Sequence, residues 1–401
     1  MSIKTIAKRS ALLGSALGLA FVMQAAAQNS APMKVGAIFP MTGIGAPTGF
    51  SSDIGAKMGI NEVNAAGGIM GRKLELVVTD DQFDPTQSVS MAKKLVYEDK
   101  VAFILGPNAG QLALAAGPIL GEANIAYFTA GSTSLMTPQV APTGFSMSMA
   151  PEEQAVAVID WAINVKKAKN IAYLGDGGGN SKSMAGRFKP YAEEKGIKIA
   201  GMEQFEIGST DMSPQLLNLR RAGAEVILVQ GQTAPDFARI LRNIEELGWD
   251  NVTIAGGLTS TALYGAIAQS AGPAIKRINV AMQMKSFSYC STDPVGTSDY
   301  AKFLQRLKAQ NPPNFERLPY SLIAWMYDGI YMAKAAIEGS GSTEGKKIAA
   351  WINANTKGTP GVTGLMKVTP GTTFLGSAAT YTMVEDIGTP RSDGLLKRAG
   401  C

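Results

Sequence analysis

Two glycine-rich turns carry the residues best suited to chemistry. Gly106-Pro107-Asn108-Ala109-Gly110-Gln111 closes one apolar run and opens a segment of helical spacing. Thr129-Ala130-Gly131-Ser132-Thr133-Ser134 closes the next run and reads as the start of a further helix. In open α/β sheets, ligands sit outside the carboxyl ends of the strands. A helix that begins there offers N–H groups without intrahelical partners and the positive end of its dipole, which suits a carboxylate. Ser132, Thr133 and Ser134 add hydroxyls that either cap the helix or bond a ligand. A third turn, Gly175-Asp176-Gly177-Gly178-Gly179-Asn180, also lies between strand and helix. It lacks the continuation of a G-x-G-x-x-G fingerprint, and no Walker A motif occurs, so its glycines read as a sharp strand-to-helix turn.

Other chemistries are excluded by composition. The chain has no histidine, which removes imidazole triads and imidazole metal sites. Its two cysteines, Cys290 and Cys401, are too few for a four-thiolate zinc site. In an oxidising compartment they could form one disulfide, but sequence does not show whether they meet. Asp80, Asp81 and Asp84 could hold a cation or act as acid and base; their simpler role is to end a strand and cap a helix. No catalytic residue and no cofactor is expected, and the chain does not read as an enzyme.

The first 27 residues read as a cleaved export signal. Lys4, Lys8 and Arg9 form a basic start, residues 11–23 are uncharged and mostly apolar, and Ala25-Ala26-Ala27 supplies an A-x-A cleavage pattern. The apolar run is shorter than the roughly 20 residues of a membrane span. No cysteine near the cleavage point offers a lipid anchor. Removing this segment lowers the net charge from +5 to +2, since 34 basic residues then face 32 acidic ones. No basic block remains to suggest nucleic acid. A periplasmic protein is expected.

Short apolar runs recur at 34–39, 74–79, 101–105, 126–129, 170–174, 197–202, 225–230, 252–255 and 278–282. Segments of helical spacing separate them, at 53–64, 88–97, 152–165, 235–247 and, after the last run, 320–336. Strands alternating with helices predict parallel sheets covered on both faces. So many units predict two doubly wound α/β lobes rather than one.

The most diagnostic stretch runs from Asn61-Glu62-Val63-Asn64-Ala65-Ala66-Gly67-Gly68-Ile69-Met70-Gly71-Arg72 into Asp80-Asp81-Gln82-Phe83-Asp84-Pro85. Gly67 and Gly68 supply the positive-φ positions of a helix end. With Val35-Gly36-Ala37-Ile38-Phe39-Pro40, Ile104-Leu105-Gly106-Pro107 and Leu241-Arg242-Asn243, it resembles the type I periplasmic solute-binding proteins of branched-chain amino-acid ABC transporters. The resemblance spans nearly the whole exported chain. It implies two Rossmann-like lobes joined by a three-segment hinge, with ligand held between them. Crossings near 148, 280 and 356 would put residues 33–148 and 281–355 in lobe one, and 149–280 and 356–390 in lobe two. It also implies a monomer that takes a small molecule and passes it to a membrane permease. The alternatives are binding of a branched-chain amino acid or a short amide, or a ligand-sensing subunit of a receptor or regulator, which uses the same fold.

Carried over residue by residue, the resemblance assigns a ligand's α-carboxylate to Asn108, Ala109, Gly110 and Gln111 and to Ala130, Gly131 and Ser132. Thr48 joins them as a candidate contact. Gly110 stands where the family usually has serine. Lobe two should contribute Asn180 and Thr233, where the family has a tyrosine and a second aromatic. The acid that pairs with an amino group matches Leu258. A family disulfide matches Phe83 and Ala109, and both of its cysteines are absent. A buried ammonium without an acidic partner costs several kcal/mol. The expected ligand is therefore an aromatic or aliphatic organic acid, or a short amide, rather than a zwitterionic amino acid.

Overall fold

The computed structural model describes residues 31–401 except 232, 284, 316–317 and 377–380. The segment read as an export signal, 1–27, lies outside the described residues.

Strand β1 (Met33–Phe39) is buried at all positions but one, as a central parallel strand must be. It leads through helix α1 (Ala46–Ala65) to β2 (Leu74–Asp80), then through α2 (Pro85–Lys93) to β3 (Phe103–Leu105). Helix α3 (Gly110–Glu122), β4 (Ala126–Thr129) and β5 (Gly144–Ser146) complete a parallel sheet of order β2-β1-β3-β4-β5. Side chains alternate across it. Phe103, Leu105 and Phe128 join one buried cluster with Ile60 and Val63 of α1, while Ile104 and Tyr127 join another with Ala113 and Leu120 of α3. The strand order reverses between β1 and β3, which opens a crevice at their carboxyl ends.

The diagnostic stretch has a physical explanation. Gly67, Gly68 and Gly71 all take positive φ, and a Cβ on Gly68 would run into the Arg72 carbonyl. The Asn64 amide then clamps the strand start, accepting from Leu74 N–H at 2.6 Å and donating to Leu74 C=O at 2.9 Å. The aspartates hold turns. Asp84 caps α2 by accepting from Gln87 N–H, Asp81 accepts from Ser88 Oγ, and Asp80 gathers Met41 N–H and the Thr42 hydroxyl. Burial pushes the Asp80 carboxyl up, but hydrogen bonds from Thr42, Gln82 and Met41 outweigh it and hold it below the usual range.

The second lobe starts with α4 (Pro151–Asn164), β6 (Asn170–Gly175), α5 (Gly179–Glu194) and β7 (Lys198–Gln204). It continues through α6 (Ser213–Arg221), β8 (Val226–Gln230), α7 (Ala234–Glu246), β9 (Thr253–Gly256) and the short α8 (Leu258–Ala262). Helices α9 (Tyr264–Ala271) and α10 (Ala274–Arg277) lead to β10 (Asn279–Gln283) and β11 (Ser288–Tyr289). Strands β10, β9, β8, β6 and β7 are parallel neighbours in that order. Ile227, Val229 and Ile254 face one core cluster and Val226, Leu228 and Ala255 the opposite one.

Helices α11 (Asp299–Ala309), α12 (Tyr320–Ser340) and α13 (Gly345–Ala354) follow, and α12 packs along α1 in the first lobe. The hairpin β12 (Thr359–Gly361) and β13 (Gly364–Met366) is pinned to α12 by buried Asp328, which accepts from Val362 N–H and Thr363 N–H at 2.9 Å each. Met366, Val368 and Leu375 enter the first-lobe core, and Phe374 bridges to Ser146. Strands β14 (Met383–Glu385) and β15 (Leu396–Arg398) return to the second sheet.

Two expected crossings are thereby corrected. The second sheet keeps the chain through Gln283 and again at Ser288–Tyr289, beyond residue 280. Residues 359–375 stay with the first lobe instead of leaving it at 356, and the return falls between 376 and 383. Periodicity reports that a strand exists; it does not report which sheet receives it. Cys290 and Cys401 are joined by a disulfide across a separation of 111 residues, with Cα atoms 5.4 Å apart. Among the described residues no helix is long and apolar enough to cross a membrane.

Candidate functional site

The turns after β3 and β4 meet. A Cβ on Gly131 would stand 2.7 Å from the Ala109 carbonyl carbon, and one on Gly110 would stand 2.8 Å from Ser132 O, so glycine at both positions lets the two backbones touch. Thr129 Oγ1 ties them by donating to Pro107 O and accepting from Gly131 N–H. Helix α3 opens at Gly110 with Ala109 as its N-cap, and no side chain caps it. The N–H groups of its first turn therefore have no side-chain cap among the described residues. No helix opens after β4, contrary to expectation. Residues 130–143, which include Pro138 and Pro142, run as turns to β5.

The other first-lobe candidates are engaged locally. The Asn108 amide donates to Ser52 Oγ at 3.0 Å, Thr48 Oγ1 donates to Gly45 O at 2.7 Å, and Gln111 is exposed. Ala130 is buried. Ser132 Oγ caps no helix; it donates to the carbonyl of Met149, in the segment that crosses between lobes.

The second-lobe candidates lie at the carboxyl edge of its sheet. Asn180 sits in the first turn of α5, and its Oδ1 is buried without a donor among the described residues. Thr233 is the N-cap of α7: Oγ1 accepts from Asp236 N–H at 3.2 Å and donates to Asp236 Oδ2 at 2.6 Å. Leu258 is 3% exposed and joins the first-lobe core cluster; its N–H donates to Gln154 Oε1 at 3.1 Å.

Several edge residues escaped sequence reasoning. Gln154, Gln230 and Gln283 are fully buried. Gln230 and Gln283 each end an apolar strand, a signal that the sequence does carry. Asp176 directly follows β6, is buried, and accepts from Gly178 N–H at 2.9 Å. Glu152, at the start of α4, accepts from Ser134 Oγ across the lobes. A cavity of about 540 Å³ lined by Thr133, Ser134, Leu135, Glu152, Gly179 and Lys182 opens between the lobes at this rim. Among the described residues no three potential metal ligands gather.

The family model for periplasmic binding proteins matches residues 32–386, almost all of this two-lobed framework. The chain belongs to the periplasmic binding protein family. An amino acid binding protein of Pseudomonas aeruginosa is 28% identical over 350 residues, covering 85% of this chain and 87% of that protein. The Leu/Ile/Val-binding protein BraC3 of Rhizobium johnstonii is 28% identical over 349 residues, covering 86% and 88%. Among solved structures, the branched-chain amino acid transporter substrate binding protein LivJ of Streptococcus pneumoniae, in complex with isoleucine, superposes with a TM-score of 0.73 at 21% identity. That match covers 91% of this chain and 97% of LivJ. An ABC-transporter solute binding protein from R. palustris in complex with 4-hydroxybenzoate superposes with a TM-score of 0.75 at 19% identity, covering 92% and 95%. At these identities the structures establish the fold alone. The chain shares the two-lobed fold of these solute-binding proteins, and its family is that of periplasmic binding proteins.

Proposed function

We propose that this protein captures a small carboxylate-bearing solute between its lobes and delivers it to a membrane permease after export by way of residues 1–27. An aromatic or aliphatic organic acid is favoured over a zwitterionic amino acid. One observation carries the choice: the position matched to the ammonium's acidic partner is Leu258, whose side chain is packed in an apolar core. The carboxylate would sit at the uncapped start of α3, against Gly110 and Ser132. Asn180 would close over it from the second lobe.

A second reading rests on Asp176 and Glu152. Both are acids at the cleft edge, and either would give an ammonium the partner that Leu258 denies it. The relatives named for leucine, isoleucine and valine favour this reading. Leucine and 4-methylpentanoate differ only by the amine and separate the two. A ligand at about 100 times its Kd stabilises a fold by roughly 2.7 kcal/mol, which is readily seen as a thermal shift. The organic-acid reading expects a shift with 4-methylpentanoate or benzoate and none with leucine. A shift with leucine alone would establish the second reading instead.

A further inference from the structure

Two strands of the second sheet end in amides on one edge, and a third amide lies on the same edge. Gln230 ends β8, Gln283 ends β10, and Asn180 lies in the first turn of the helix after β6, in the order β10-β9-β8-β6. Both glutamines are fully buried. Their nitrogens are engaged: Gln230 Nε2 donates to Thr259 Oγ1 at 3.3 Å, and Gln283 Nε2 donates to the Gln154 carbonyl at 2.6 Å. Those bonds fix the opposite ends of the two amides. Gln230 Oε1, Gln283 Oε1 and Asn180 Oδ1 are all buried and meet no donor among the described residues. Between β8 and β10, β9 ends at Gly256 and Gly257 follows, where a Cβ would run into Gln230 Oε1 and stand 3.2 Å from Gln154 Oε1. Glycine there lets the backbone lie against the Gln230 amide oxygen without supplying it a donor.

A buried acceptor left unmet is costly, and three on one edge point to donors that arrive from elsewhere. The two lobes are then complementary. Lobe one offers N–H donors at α3, and lobe two offers uncharged acceptors. We infer that the ligand is a carboxylic acid whose far end carries an uncharged hydrogen-bond donor, a hydroxyl or an amide N–H, read by Gln230, Gln283 and Asn180. This rests on the carboxylate reading above and narrows it.

The test is calorimetric titration of the exported chain with matched pairs. Benzoate against 4-hydroxybenzoate adds one hydroxyl. Levulinate against succinamate replaces a methyl by an amide NH₂. The donor-bearing member of at least one pair should bind about 10- to 100-fold more tightly, because its partner leaves acceptors unmet. Gln230→Met and Gln283→Met, which keep volume but remove the acceptor, should reduce that ratio to within a few-fold. Equal affinities within both pairs overturn the inference while leaving the carboxylate reading intact. Should no acid bind, the carboxylate reading falls as well. If a variant fails to fold, the pairs measured on the unsubstituted chain still decide.

Discussion

Thr233 donates to Asp236 Oδ2 and accepts from Asp236 N–H, so its hydroxyl is committed to the start of α7. Thr233→Ala should lower stability by about 1 kcal/mol, the usual effect of losing a cap. Ligand affinity should stay within twofold; urea unfolding and titration calorimetry measure the two quantities separately. Ser132 differs because its one donor goes to Met149 O, at a lobe crossing and beside the uncapped start of α3. Ser132→Ala should weaken carboxylate binding about five- to tenfold while costing less than ~1 kcal/mol of stability. Unchanged affinity with a larger stability loss would make the hydroxyl a tie for the crossing and nothing more. At this scale the sequence named the positions but not their partners. Leu258 could be read as a missing acid only through the family resemblance. That its N–H meets Gln154 could not, because 104 residues separate them.

Helix α12 holds the hairpin of residues 359–366 through a single buried carboxyl. Burial pushes Asp328 up to about 6 from 3.8, against the opposing hydrogen bonds of Thr363 and Val362. The native chain therefore holds this proton more tightly than the unfolded chain does. The contribution to stability is greatest below about pH 4, falls as pH rises through about 6, and is flat above. Relative to Asp328→Asn, the native protein should lose on the order of 2 kcal/mol between pH 4 and 7. Denaturant midpoints taken across that range check it; parallel curves for the two chains would remove Asp328 as the source. The elements themselves were largely legible, because buried parallel strands are nearly continuous apolar runs and β1, β8 and β9 are such runs. What was not legible is how loops are satisfied. The turn 129–134 reads as a helix start, yet Thr133 Oγ1 accepts from Leu135 N–H and Ser146 Oγ donates to Gly131 O, so side chains replace the helix.

Over the whole molecule, two lobes follow from the number of strand and helix units, but the contacts between lobes do not. Pairs such as Ser134 with Glu152, or Leu258 with the first-lobe core, join residues whose own segments say nothing of each other. Under the proposed capture by closure, those contacts would set how far the empty protein leans toward closure, and apparent affinity would scale with the closed fraction. Ser134→Ala removes one of them without touching α3, Ser132 or the edge amides. It should shift the ligand-free protein toward an open form and raise Kd about three- to tenfold, with overall stability changed by under ~1 kcal/mol. Small-angle scattering would then give a larger radius of gyration for the ligand-free variant than for the native chain, and saturating ligand would bring the two together. Equal radii in the empty state, with Kd raised all the same, would mean that Ser134 holds the ligand rather than the closed arrangement of the lobes.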